Sequence, residues 1–202
     1  MEERLPPAPL AERLVRELRE QHGPELSRVR LLELGCGEGH DARYFYESGI
    51  LVQVCDQEHA RIATLNRIGI PGQTFDLRLT WPLVEASFEV IYSHFVLSCD
   101  FQHEHIEHIF RELRRIISPG GKIYLAVRSI EDPTARKFFR QGPGYFSLGD
   151  TGLYFFSVKK LRAYAQGWTL HSLAHTFYTR AGEAYGVLEL VAQNAPSIDM
   201  ST

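Results

Sequence analysis

The run Glu33-Leu34-Gly35-Cys36-Gly37-Glu38-Gly39 follows a short apolar stretch and leads into a helical pattern. Three alternating glycines let a backbone turn sharply and let a ligand approach with no Cβ in its way. The first amides of the following helix then face that ligand. Asp56 closes the next apolar stretch, where a carboxylate can accept hydrogen bonds from both hydroxyls of a ribose. The chemistry these residues suit is the seating of a nucleoside at the C-terminal edge of a sheet. Gly37-x-Gly39-x-x-Ala42 also fits the dinucleotide fingerprint. Two details oppose that reading. Glu33 at the strand end faces a pyrophosphate unfavourably but suits a cationic ligand, and Gly35 brings the turn one step earlier.

Further along, His94, Asp100, His103 and His105 follow an apolar stretch and are candidate bases. The sequence His103-Glu104-His105-x-x-His108 invites a metal reading, but on a helix only Glu104 and His108 are i,i+4 neighbours. The zinc-protease pattern needs two histidines at that spacing, so no metal is expected. Arg128 ends a strand and points to the same crevice, and Arg136, Arg140 and Tyr145 lie in the long segment behind it. These residues are expected to cover and bind an acceptor, with Arg128 and Tyr145 as its contacts.

The elements that must position these groups follow from periodicity. Residues 1–9 read as a flexible arm, 10–193 as a single domain and 194–202 as a flexible tail. Helical spacing covers 10–21, 41–48, 58–68, 104–117 and 158–165. Strand patterns cover 29–34, 51–55, 74–76, 88–93, 122–127, 169–177 and 187–192. Pro119-Gly120-Gly121 reads as a turn, and 130–150 as a long functional loop. Alternation of strands and helices implies a doubly wound, mostly parallel α/β sheet, closed by an antiparallel pair.

Composition narrows the function classes. The chain has 202 residues, 44% hydrophobic and 23% charged, with a net charge of −3. That balance is ordinary for a soluble domain and gives no general attraction to nucleic acid phosphates. The three cysteines, Cys36, Cys55 and Cys99, form no disulfide or zinc pattern and suit a cytoplasmic protein. No leader and no membrane span are read from the sequence.

In order and spacing, these segments resemble the class I S-adenosylmethionine-dependent methyltransferases, from about Val29 to Ala192. The resemblance rests on Glu33 to Gly39, Val54-Cys55-Asp56, Phe75-Asp76-Leu77, the strand Phe88 to Ser93, and Ser118-Pro119-Gly120-Gly121. It implies a Rossmann-like, seven-stranded sheet with an antiparallel last strand. It also implies roles. Glu33 and the backbone of Gly35, Cys36, Gly37 and Gly39 hold the methionine part of the cofactor. Asp56 holds the ribose with Gln57 beside it, and Asp76 with the Leu77 backbone addresses the adenine. The backbone of Ser93 and His94 lies near the methionine amine and the transferred methyl, which makes His94 the nearest candidate base. Gly39-His40-Asp41-Ala42 and Tyr154-Phe155-Phe156-Ser157, followed by Gly167-Trp168, resemble the tellurite-resistance and thiol-type subgroup.

The expectation is methyl transfer from S-adenosylmethionine to S, O, N or a metalloid in a small molecule, leaving S-adenosylhomocysteine. Such a reaction chiefly needs donor and acceptor aligned, worth on the order of 7 kcal/mol or more. The protein is expected to be a monomer or homodimer without nucleic acid partners. The rival readings are an NAD-dependent oxidoreductase and a non-catalytic S-adenosylmethionine-binding regulator.

Overall fold

Side chains along β1 (Arg30–Leu34) alternate between two apolar layers: Leu31 packs into one, and Leu32 and Leu34 into the other. The same period-two division repeats across the sheet and sandwiches it between helices. A computed structural model of the chain describes residues 5–135, 145–148, 151–180 and 182–195. Helices α1 (Pro9–His22), α2 (His40–Glu47) and α3 (His59–Arg67) cover the Leu31 face. Helices α4 (His103–Ile116) and α5 (Val158–Tyr164) cover the other.

Five strands run parallel: β1, β2 (Leu51–Asp56), β3 (Gly72–Thr74), β4 (Phe88–His94) and β5 (Ile117–Arg128). After the short pair β6 (Tyr145–Leu148) and β7 (Thr151–Tyr154), the hairpin of β8 (Thr169–Arg180) and β9 (Glu183–Gln193) completes the sheet. The order is β3-β2-β1-β4-β5-β9-β8, seven strands in which β9 is antiparallel to both its neighbours. The doubly wound sheet with an antiparallel last strand is thus the one the sequence predicts.

Local differences have physical causes. The third strand lies at Gly72–Thr74 rather than at 74–76. A Cβ on Gly72 would stand 2.6 Å from Val54 Cγ2, so glycine lets this edge strand seat closely on β2. Pro119-Gly120-Gly121 is an irregularity inside β5 and not a turn before it: pairing steps from Phe88–Ile117 to Val90–Lys122. The segment expected as a long functional loop contains β6, and Tyr145 opens that strand. Arg136 and Arg140 lie outside the described residues. Ala8, in the stretch expected as an arm, is buried, and its N–H donates to Asp41 Oδ1 at 2.8 Å.

The long connection from β3 to β4 carries Asp76 and Leu77 and is pinned from α4. Arg115 Nη1 donates to Leu83 O (2.7 Å), and Nη2 donates to Trp81 O (3.1 Å) and Glu112 Oε2 (2.6 Å). Glu112 in turn accepts the Trp81 N–H, and Trp81 Nε1 donates to Leu77 O. Burial pushes the Glu112 carboxyl up, but the hydrogen bonds from Arg115 and Trp81 outweigh it and hold the group below its ordinary range. A carboxyl held low gives stability that is present above its unfolded pKa and lost as pH falls through the lower folded one. Arg115→Met is expected to cost about 2 kcal/mol at pH 7, less than a sealed pair would. The gap to the parent narrows as pH falls from the ordinary carboxylate range through the lower value at which the folded Glu112 protonates. Urea unfolding at pH 7 and at lower pH reads both effects, and an unchanged midpoint at pH 7 would dispense with the clamp.

Candidate functional site

The glycine loop leaves β1 and turns into α2 along the C-terminal edge of the sheet. Gly35 has φ +63, and a Cβ there would stand 2.2 Å from Val96 Cγ2, so the loop packs too closely for a side chain. Gly37 has φ +53 and nothing within 4 Å of where a Cβ would be, so it faces open space. The Gly37 N–H donates to Asp56 Oδ2 and the Glu58 N–H to Asp56 Oδ1, both at 2.9 Å. Arg61 Nη1 stands 3.5 Å from the same Oδ1. Asp56 therefore stitches the glycine loop to the end of β2.

Glu33 projects on the Leu31 side of β1, toward α2, and is 3% exposed. Its Oε2 has no hydrogen-bond partner among the described residues. Burial is the main force raising the Glu33 carboxyl well above its ordinary range, and the charges of Asp41 and Asp56 add to it. Asp41, 6% exposed, is better provided for. Its Oδ1 accepts the Ala8 N–H, its Oδ2 accepts the Tyr92 hydroxyl at 2.7 Å, and His94 Nδ1 stands 3.7 Å from Oδ2.

His94 ends β4. Its ring stacks on Phe95, with centroids 4.2 Å apart, and Tyr178 lies 5.8 Å away. Phe95 has φ +64, a left-handed conformation that costs a bulky residue on the order of 1–3 kcal/mol. Its N–H donates to Ala126 O at 2.8 Å, which holds the bend and turns both rings toward the open edge.

Two cavities meet here. One, of about 620 Å³, is lined by Asp56, Gln57, Asp76, Leu77 and Phe101. The other, of about 680 Å³, is lined by Glu33, Cys36, Asp41, Arg128, Tyr178 and Tyr185. Gly35, Gly37, His94 and Phe95 line both. The structure thus brings together most of the residues singled out from the sequence. Gly39 and Ser93 line neither cavity. Gly39 sits against Leu65 at the start of α2, and Ser93 is fully buried with Oγ lacking a partner among the described residues. Asp100 lines the first cavity. The other histidines have local partners: His105 Nδ1 accepts the Gln102 N–H in the α4 cap, His103 meets the Tyr164 hydroxyl, and His108 bonds Leu79 O.

Sequence reasoning missed Asp41, Phe95, Tyr178 and Tyr185, and the contribution of residues 152–153 to the cavity walls. Asp41 carried a signal, being an acid in the first turn of a helix after a glycine loop. Tyr178 and Tyr185 carried none, because only their cross-strand pairing in the β8–β9 hairpin sets them side by side.

Residues 2–173 match the family model described as a methyltransferase domain. No curated protein sequence matches the chain. Among solved structures, an S-adenosylmethionine-dependent methyltransferase from Methanosarcina mazei superposes with TM-score 0.74 at 16% identity, covering 83% of this chain and 93% of that one. TehB from Haemophilus influenzae gives TM-score 0.65 at 18% identity, covering 89% of this chain and 61% of that one. The 1,6-didemethyltoxoflavin-N1-methyltransferase of Burkholderia thailandensis, solved with its acceptor and S-adenosylhomocysteine, gives 0.64 at 18% identity, covering 90% and 78%. With a family match over most of its length and a sheet that superposes on solved S-adenosylmethionine-dependent methyltransferases, the chain belongs to the methyltransferase-domain family and has the class I fold.

Proposed function

We propose that the joined cavities hold S-adenosylmethionine and that the protein transfers its methyl group to a heteroatom of a small molecule seated in the second cavity. The observation that carries this reading is the buried, unpartnered Glu33 Oε2 beside an open glycine loop. A buried carboxylate without a partner is costly, and a cation supplied by a ligand removes that cost. The amino group of the cofactor's methionine part is such a cation. Asp56 would take the ribose and Gln57 would lie beside it. Asp76 is clasped by Arg78 with contacts of 2.7–3.0 Å, and that hydrogen bonding holds its carboxyl below its ordinary range. It stays ionised and can only accept, which suits the exocyclic amine of adenine.

When bound, the cofactor supplies an electrophilic methyl group on a positively charged sulfur. The chain's own part is to bind, orient and shield. His94, between the cavities with Asp41 behind it, is placed to receive a proton from an acceptor that carries one. Residues 5–9 on one side and 152–153 on the other wall the cleft. A cavity of about 680 Å³ is in the size range of small-molecule sites.

The acceptor atom is S, O, N or a metalloid. The motifs Gly39 to Ala42 and Tyr154 to Ser157 support the tellurite-resistance and thiol-type subgroup, and the toxoflavin enzyme illustrates a small heterocyclic acceptor on this fold. A nicotinamide dinucleotide would set its pyrophosphate near Glu33, Asp41 and Asp56, which is the ground for preferring the sulfonium cofactor. Among the described residues no helix is long and apolar enough to cross a membrane. A cytoplasmic location and a monomeric or homodimeric state belong to the same proposal, the location supported by three cysteines without a disulfide pattern.

Calorimetry tests the cofactor and Glu33 together. S-adenosylmethionine and S-adenosylhomocysteine are expected to bind, and NAD is not. Below the raised Glu33 value, binding a cation must expel a proton, so affinity climbs with pH and then levels off once Glu33 is ionised. Glu33→Gln is expected to weaken binding about 10- to 100-fold, the worth of a hydrogen bond to a charged group. It also abolishes the proton release read in buffers of different ionisation enthalpy. Equal affinity in parent and variant would remove Glu33 from this role. A labelled-methyl screen over thiols, hydroxylated aromatics, carboxylates and metalloid oxyanions then assigns the acceptor atom, and transfer to none of them would favour a non-catalytic binding protein.

A further inference from the structure

The second cavity has two electrical poles. Glu33 and Asp41 lie on its β1 side, and Arg128 lies at the end of β5. β4 stands between those strands, and Arg128 lies four residues beyond Tyr124, the β5 position level with Glu33, so the two backbone positions are about 10 Å apart across the sheet and about 13 Å along it. Arg128 is fixed through its backbone, whose N–H donates to Ser98 Oγ and whose carbonyl accepts the Phe156 N–H, both at 2.8 Å. Its guanidinium lies over the Tyr185 ring at 4.8 Å and the Phe95 ring at 5.9 Å. The nearest carboxylate, Asp132, is fully buried, with Oδ2 at 3.6 Å, within ion-pair reach but beyond a hydrogen bond. Among the described residues the guanidinium therefore donates no hydrogen bond, although it is only 20% exposed and carries five N–H groups. A planar guanidinium with open donors in a partly dry cleft selects a planar anion that it can grip at two points.

Aromatic faces lead from Arg128 back toward the acidic pole. Phe95 stacks with His94, and Tyr178 lies 5.8 Å from His94 and 6.1 Å from Phe95. The Tyr178 hydroxyl is already committed to Glu189 Oε1 at 2.5 Å, so this residue offers the cavity its ring and not a polar tip. Such a wall rewards a flat ring by stacking, worth on the order of 1 kcal/mol beyond area. An aliphatic thiol would use neither the wall nor the cation. An inorganic oxyanion would use Arg128 alone.

We infer, on the strength of the methyltransferase reading, that the acceptors are planar aromatic carboxylates, held by Arg128 through the carboxylate and by Phe95, Tyr178 and Tyr185 through the ring.

The test is calorimetry on the full chain saturated with S-adenosylhomocysteine, using benzoate, benzamide, cyclohexanecarboxylate and selenite as probes. Benzoate is expected to bind about tenfold or more tightly than benzamide, which lacks the charge, and several-fold more tightly than cyclohexanecarboxylate, which lacks the flat ring. Selenite binds more weakly than benzoate. Arg128→Met erases the preference for benzoate over benzamide, with circular dichroism showing that the variant is folded. Arg128→Lys keeps the charge, loses the two-point grip and gives an intermediate preference, which covers the case in which the methionine variant fails to fold. Tyr185→Leu lowers the preference for benzoate over cyclohexanecarboxylate. Equal affinities of the parent for benzoate and benzamide, or selenite binding as tightly as benzoate, would overturn the inference. Failure of S-adenosylhomocysteine to bind would instead overturn the methyltransferase reading, and the same probes on the unliganded protein would still decide this one.

Discussion

Three carboxylates are gathered at the C-terminal edge of the sheet, and each is less than a tenth exposed. Burying that much negative charge in one place costs several kcal/mol per group unless donors or cations face it. The chain meets the cost at two of the three. Asp56 receives the amides of Gly37 and Glu58, with Arg61 nearby, and Asp41 receives the Ala8 amide and the Tyr92 hydroxyl. These hydrogen bonds are also the ones that hold the glycine loop to β2 and residue 8 to the start of α2. At Glu33 one oxygen is left without a donor, and the carboxyl is driven toward its neutral form. The site is thus built around a deficit that a cationic ligand can fill.

The same economy governs the bend after β4. A left-handed Phe95 is unfavourable in isolation, yet its N–H is captured by Ala126 O on β5 and its carbonyl accepts the Ser98 N–H. The bend turns the His94 and Phe95 rings to the open edge, beside Tyr178 from the neighbouring hairpin. Strain of this kind persists only where surrounding hydrogen bonds over-determine it, and here it serves to place aromatic surface between the two cavities.

What was legible in the sequence is what short-range chemistry dictates. Glu33, the alternating glycines and Asp56 lie within two βα units, so strand ends and turns alone place them together. Arg128 was legible for the same reason, as the last residue of a strand whose direction the alternation of elements sets. Tyr178 and Tyr185 were not, because their position depends on a hairpin register that pairs residues seven apart across the Gly182 turn. The two-residue shift of the third strand to Gly72 depends on its contact with Val54, and the irregularity at Pro119-Gly120-Gly121 depends on Gly121 approaching Glu89 O. Both are tertiary contacts made by residues that locally read as turn formers. Asp41 lay in plain view at a helix start, but its two buried donors come from residues 33 positions before it and 51 after it.

The two poles of the second cavity bear on the order in which ligands settle. An anion held at Arg128 lies on the order of 15 Å from Glu33, two strands across and four residues along, where a unit charge opposes it by roughly 1 kcal/mol at an effective dielectric of about 20. Asp132 adds a further opposing charge beside the arginine. Where Glu33 is ionised, above its raised value, a cation beside it cancels part of that field, so an anionic acceptor is favoured there once the acidic pole is occupied. Linkage makes the effect reciprocal: whatever an acceptor gains from an occupied Glu33, the cation at Glu33 gains from the acceptor. The acid that the chain leaves unsatisfied and the arginine whose donors it leaves open are then two halves of one device. Each is held in a costly state by the fold, and each is relieved by a different ligand of opposite charge meeting across β4.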